Sequence, residues 1–329
     1  AGLEINPQSS NLHAVKSFAL DWYGASGVAG DASQEYLIRG EQSAVEALQY
    51  DNTNALALAY YAELLIDQQK WTQAQQYITQ ALERDSSLMD VHRVSGNIQE
   101  AIANYDLAIE EYLKAIEITP NLNFLHMSLG ANYRKLANLA VTMQEQTYYY
   151  ELALEAFAKA VGINDQLGVD DPIPLLSIAN TYVQMGEFFA AARNVLRAIE
   201  FAPDDPTVYG QLGVVYYKAR NYEGSILPLR CSVYGCTSAE SCMVRNGGAE
   251  CDPEDVPEIP IPGLELTNNT AIYYYIYGSV LAGLHQESNG YCEEAMKVFD
   301  EITAVFSADE TIMGIVNEGV AICNYYGYR

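Results

Sequence analysis

Six cysteines, all in the last third of the chain, are the residues whose type and spacing first promise chemistry. Cys231, Cys236, Cys242 and Cys251 fall within twenty-one residues as C-x4-C-x5-C-x8-C, and Cys292 and Cys323 follow. Thiols grouped in this way oxidise to disulfides or hold a metal such as zinc. Structural zinc sites usually draw on CxxC pairs or histidine, and this stretch has neither. An even count confined to one region favours disulfides over metal ligands or free thiols. Three pairings of the first four remain open, with neighbouring partners preferred. Persistent disulfides need an oxidising compartment, so the expected location is extracytoplasmic: secreted, cell surface or periplasmic. Asn268-Asn269-Thr270 is an N-glycosylation sequon, relevant where the source glycosylates. The stretch PEDVPEIPIPG is expected to be extended and exposed, because its prolines forbid helix.

Other reactive residues form no constellation. His13, His92, His126 and His285 are far apart in sequence, and no HExxH, P-loop or GxSxG is present. GASGVAG (24–30) has spaced glycines but follows a helical pattern, which makes it a linker rather than a nucleotide loop. The acidic groups Asp170-Asp171 and Asp252, Glu254, Asp255 lack EF-hand spacing and read as solvated loops. No catalytic residue, metal site or cofactor is expected. Acidic residues outnumber basic ones 43 to 17, for a net charge of −26, which repels phosphate backbones and argues against nucleic acid as a partner. No apolar run is long enough to span a bilayer.

The elements that position these residues come from a repeat. Segments starting at Ala55, Met89 and Pro172 each run for thirty-four residues. Small residues recur at the eighth place (Ala62, Gly96, Ala179), the twentieth (Ala74, Ala108, Ala191) and the twenty-seventh (Ala81, Ala115, Ala198). A large residue holds the seventeenth (Trp71, Tyr105, Phe188), and Ser86, Pro120 or Pro203 the thirty-second. Small residues let two amphipathic helices approach, large ones fill between them, and proline stops the second helix. This pattern strongly resembles the tetratricopeptide repeat. The resemblance implies an all-α fold, a right-handed superhelical α-solenoid of about seven helix pairs that covers nearly the whole chain.

On that register, residues 1–8 read as the remnant of a preceding repeat helix and 9–230 as the solenoid, with a lengthened pair after Asn123. Residues 231–267 form a Cys- and Pro-rich insertion, and 268–329 a last helix pair with a capping helix and a Tyr-rich tail. Cys292 opens the second helix of that pair and Cys323 ends the capping helix. Two antiparallel helices of about fifteen residues, roughly 22 Å long, bring these cysteines side by side, which predicts a Cys292–Cys323 disulfide.

The resemblance also implies a concave groove lined by the first helix of each pair. Its places fall on Tyr60, Glu63 and Asp67, then Arg93, Asn97 and Glu100, then Phe124, Met127, Ser128, Arg134 and Lys135. Ser177, Asn180 and Gln184 follow, then Gln211, Tyr217 and Lys218. Arg93, Arg134 and Lys135 are expected to form a basic floor for an acidic or carboxylate-bearing peptide. Arg93 and Asn97 match two places of the carboxylate clamp known in the family, whereas Ser128, Ile173 and Ser177 replace the others. Tyrosine is abundant, 26 against 8 Phe, and suits wet interfaces. The expected function is a non-catalytic scaffold that binds a protein or peptide. The alternative is a structural subunit that binds further copies of itself head to tail, in a filament or surface layer.

Overall fold

The computed structural model of the chain describes residues 2–249, 251 and 259–328. After the short helix α1 (Gly2–Ile5), helices follow in pairs. These are α2 (Ser10–Ala25) with α3 (Ser33–Tyr50), α4 (Ala55–Asp67) with α5 (Trp71–Arg84), and α6 (Met89–Ala101) with α7 (Tyr105–Ile118). Next come α8 (Asn123–Leu139) with α9 (Met143–Leu167), α10 (Ile173–Met185) with α11 (Phe188–Phe201), and α12 (Pro206–Lys218) with α13 (Tyr222–Val233). A ribbon of β1 (Gly235–Cys236) and β2 (Ile261–Pro262) encloses α14 (Ser238–Arg245). The chain ends in α15 (Ala271–Gly283), α16 (Tyr291–Phe306) and α17 (Glu310–Tyr325). The described residues thus form seven helix pairs and a closing helix, the all-α repeat fold that the sequence period implies. They divide into two compact units, Ala1–Ile163 and Asn164–Arg329, and the division falls within α9.

The repeat's small residues are buried because they sit where helices touch. Ala62, Ala74, Ala81, Ala108, Ala115, Ala191 and Ala198 are fully inaccessible. At Gly96 a Cβ would lie 2.8 Å from the Tyr112 ring, so α6 and α7 can pack only without one. The turn between the helices of a pair also repeats. Gln69, Ala103, Gly186 and Arg220 all have positive φ, at the same place of four repeats, yet only one is glycine. Between repeats, Asp51 and Asp85 close turns by accepting from Thr53 and Ser87, and Asp205 caps α12.

The insertion differs from the expected irregular loop. Cys231 lies within α13 and Cys242 within α14, and α14 starts at a full capping box between Thr237 and Glu240. Ile261, expected to be exposed, is 3% exposed and pairs with Cys236 in the ribbon. The acidic group Asp252, Glu254, Asp255 lies outside the described residues. Disulfides join Cys231 to Cys236, Cys242 to Cys251 and Cys292 to Cys323. The last of these fastens α16 to α17, and Phe299 fills the space between Gly278 of α15 and Gly319 of α17.

Candidate functional site

The histidines are structural. In His13, His92 and His126 the Nε2 atom lies 2.9 Å from the carbonyl oxygen six residues earlier, on Pro7, Ser86 and Pro120. A carbonyl only accepts, so Nε2 carries the proton in each. Tyr209 takes the same place in a later repeat and donates to the Pro203 carbonyl at 2.9 Å. In four repeats the side chain at this place therefore locks the turn that delivers its helix, whereas Leu58 and Leu175 hold the place in two others. On the other ring nitrogen, His92 meets Glu111 at 2.7 Å. Burial opposes ionisation of Glu111, but hydrogen bonds from Lys114 and His92 hold its carboxyl below the usual range. His285 accepts from the Cys292 amide and packs its ring on Tyr326 and Tyr328. Two tyrosines of the C-terminal tail are thereby folded back, while Tyr325 remains 86% exposed.

In the first unit, the groove places are bonded to one another. Arg93 of α6, 8% exposed, donates both terminal nitrogens to the Glu63 carboxylate of α4 and its Nε to Asp90 at 2.9 Å. Asn97 also donates to Glu63, at 3.0 Å, and Tyr60 donates to Asp90 at 3.1 Å. Tyr112 of α7 donates to Asn97 and Glu100, and Asn132 of α8 donates to Glu100 at 2.8 Å. Phe18 of α2 stacks on Tyr60 and lies under the Arg93 guanidinium. This network runs across α2, α4, α6, α7 and α8 and corrects the expected basic floor. Arg93 is enclosed by carboxylates, since two acidic partners offset the cost of burying its charge, so it cannot serve as a free anchor. The matching clamp place, Asn97, is committed to the same Glu63. Arg134 lies over the Phe157 ring, 5.4 Å from its centroid, and Lys135 and Phe124 are exposed on α8 with Met127 half-buried beside them.

Asp21, 2% exposed on α2, has one carboxyl oxygen without a hydrogen-bond partner. Burial, then the charges of Asp67 and Glu63, push its pKa up to about 8, against the opposing pull of Arg93. Burial and Glu63 likewise raise Asp67 to about 6. The first unit's network is therefore acidic.

In the second unit the groove places line open space. A cavity of about 430 Å³ lies between α12, α15 and α17. Tyr217 and Lys218 come from α12, Ile272, Tyr275, Ile276 and Ser279 from α15, and Ile315, Glu318, Gly319 and Ile322 from α17. A second cavity of about 240 Å³, lined by Asn180, Gln211, Val214 and Tyr273 among others, shares Lys218 and Ile272 with it. The structure thus brings Asn180, Gln211, Tyr217 and Lys218 to one groove, while exposed Gln184 lines neither cavity. The α17 wall was missed in the sequence, where this helix reads only as a cap. Its signal was Gly319, which lets α17 approach Phe299. Of the run Tyr273–Tyr277, Tyr273, Tyr274 and Tyr277 are buried and Tyr275 faces the cavity.

A larger cavity of about 560 Å³ lies in the first unit between α7, α8 and α9, lined by residues including Leu113, His126, Tyr133, Glu155 and Lys159. None of the sequence-derived groove residues lines it. The cysteines bond in pairs, and Asn268 is exposed in the turn ahead of α15.

Comparison with known proteins agrees with this architecture. The family model described as Tetratricopeptide repeat matches residues 56–123. No curated protein matches the chain in sequence. Among solved structures, the human IFIT1 dimer with PPP-AAAA is similar at 14% identity and a TM-score of 0.61, covering 99% of this chain and 67% of that one. A tetratricopeptide repeat protein from Parabacteroides merdae is similar at 15% identity and a TM-score of 0.51, covering 93% of this chain and 99% of that one. Periodic sequence, helix pairing and structural likeness together establish that the chain has the tetratricopeptide-repeat fold.

Proposed function

We propose that the chain is a non-catalytic extracytoplasmic scaffold that binds a segment of a partner protein in the groove of its second unit. The observation that carries this reading is the convergence of Asn180, Gln211, Tyr217 and Lys218 on two adjoining cavities. Mixed apolar and polar lining of this kind suits a peptide, whose side chains fill pockets while amide groups meet its backbone. Tetratricopeptide repeats serve generally as interaction scaffolds. The three disulfides support an oxidising location, and no described helix is long and apolar enough to cross a membrane.

Selection of a displayed random-peptide library on the full chain tests the groove. Binders are expected that a Ser279→Trp variant, with its cavity filled, no longer retains. Binders indifferent to that substitution would move the site elsewhere. The second reading, self-assembly, draws on Tyr325, which is 86% exposed at the tail. Light scattering across a dilution series tests it, and a monomer at every concentration ends it.

A further inference from the structure

We propose that the cavity between α7, α8 and α9 is a separate site, for a small amphiphile that joins an apolar chain to a zwitterionic head of the phosphocholine type. At about 560 Å³ the cavity falls within the usual range of small-molecule sites, roughly 300–1,000 Å³. It lies wholly within the first unit. Leu129 and Tyr133 of α8 line it four residues apart, and Leu152, Glu155 and Lys159 of α9 line it at spacings of three and four. Such spacings put side chains on one face of a helix, so each helix turns a single stripe towards the cavity. Ile116 of α7 joins Leu129 and Leu152 in an apolar lining that suits a hydrocarbon chain.

The polar lining residues select the head. Glu155 and Lys159 are exposed, and neither makes a hydrogen bond or ion pair with any described residue. One turn apart on α9, their Cβ atoms lie about 5–6 Å from each other, so both charges border the same spot. A head with a single charge is attracted by one of them and repelled by the other, whereas a zwitterion satisfies both. Tyr133 assigns the cation. Burial, then the charges of Tyr148, Glu155 and Tyr149, raise its phenol, so it stays neutral, and Glu155 is close enough to act on it. An aromatic ring beside a carboxylate suits a quaternary ammonium, which has no N–H to donate. The Lys159 ammonium is left for the phosphate, which it meets as a point charge. His126, the remaining polar lining residue, already uses Nε2 on the Pro120 carbonyl.

Isothermal titration calorimetry on the full chain tests the site with three probes that share a dodecyl tail, each kept below its micelle concentration. They are dodecylphosphocholine, dodecyl sulfate and dodecyltrimethylammonium. Wild type is expected to bind dodecylphosphocholine about five-fold more tightly than either singly charged probe, the scale of one exposed charge pair. Lys159→Glu is expected to pass that advantage to the cationic probe and Glu155→Lys to the anionic one, and both changes fall on exposed side chains. Leu113→Trp, at an exposed lining position, is expected to fill the cavity and abolish binding of all three. Equal affinity for the three probes, or a preference that neither charge variant moves, would overturn the zwitterionic head. No binding of dodecylphosphocholine, or binding untouched by Leu113→Trp, would overturn the site itself.

Discussion

Arg93 and Glu63, thirty residues apart in sequence, form a two-pronged ion pair between α6 and α4, with Asp90 accepting from the remaining guanidinium nitrogen. The pair is largely shielded from water, so removing one partner leaves the other charge buried. Glu63→Ala is expected to cost about 3 kcal/mol in denaturant unfolding. Replacing Glu63 and Arg93 together with methionine should recover most of that loss. A cost below about 1 kcal/mol for the single change would mean that water already screens the pair.

Asp21 makes stability depend on pH. Its pKa is raised from 3.8 to about 8 in the folded chain, so between about pH 4 and 8 the unfolded chain releases a proton that the folded chain keeps. Its contribution is fully present below pH 4 and is lost as pH rises through 8, at up to about 1.4 kcal/mol per pH unit. Asp67, raised to about 6, adds a slope of the same sign over the lower part of that window. Asp21→Asn should therefore raise the melting temperature at pH 8 and change it little at pH 4. Parallel pH profiles for wild type and variant would refute this assignment.

The Cys292–Cys323 disulfide closes a loop with a sequence separation of 31 and holds α17, one wall of the groove. Replacing both cysteines with serine is expected to cost about 3–4 kcal/mol. Hydrogen exchange should show the protection of α17 falling before that of α12 and α15. Uniform loss across all three helices would show that the bond supports the whole unit rather than its wall.

Left-handed turn residues offer a stabilising change. Ala103 holds φ at +61° where the equivalent residue two repeats later is Gly186. Ala103→Gly should raise stability by about 0.5–1 kcal/mol and Gly186→Ala lower it by a similar amount, both measured by urea unfolding.

Much of this fold was legible in the sequence because its determinants are local. Ala62, Ala81 and Ala115 recur at the contact points of paired helices, and pairing between consecutive helices follows from short connections. Cysteine composition indicated disulfides, whereas α14 was read as part of an irregular insertion, because the prolines and cysteines around it masked its capping box at Thr237 and Glu240. The repeat register also placed the candidate groove residues on the first helices of the pairs.

Tertiary structure alone decided which of those residues remain available. Arg93 and Lys218 are both cations at groove places, and Arg93's own segment supplies only one of its partners, Asp90. Arg93 is neutralised by Glu63 from the preceding repeat, whereas Lys218 faces a cavity walled by α17, one hundred residues further on. Helix formation depends on neighbours a few positions away, so a repeating sequence records it. A charge's availability depends on what the folded chain brings within hydrogen-bonding distance, and that is set by packing between segments remote in sequence.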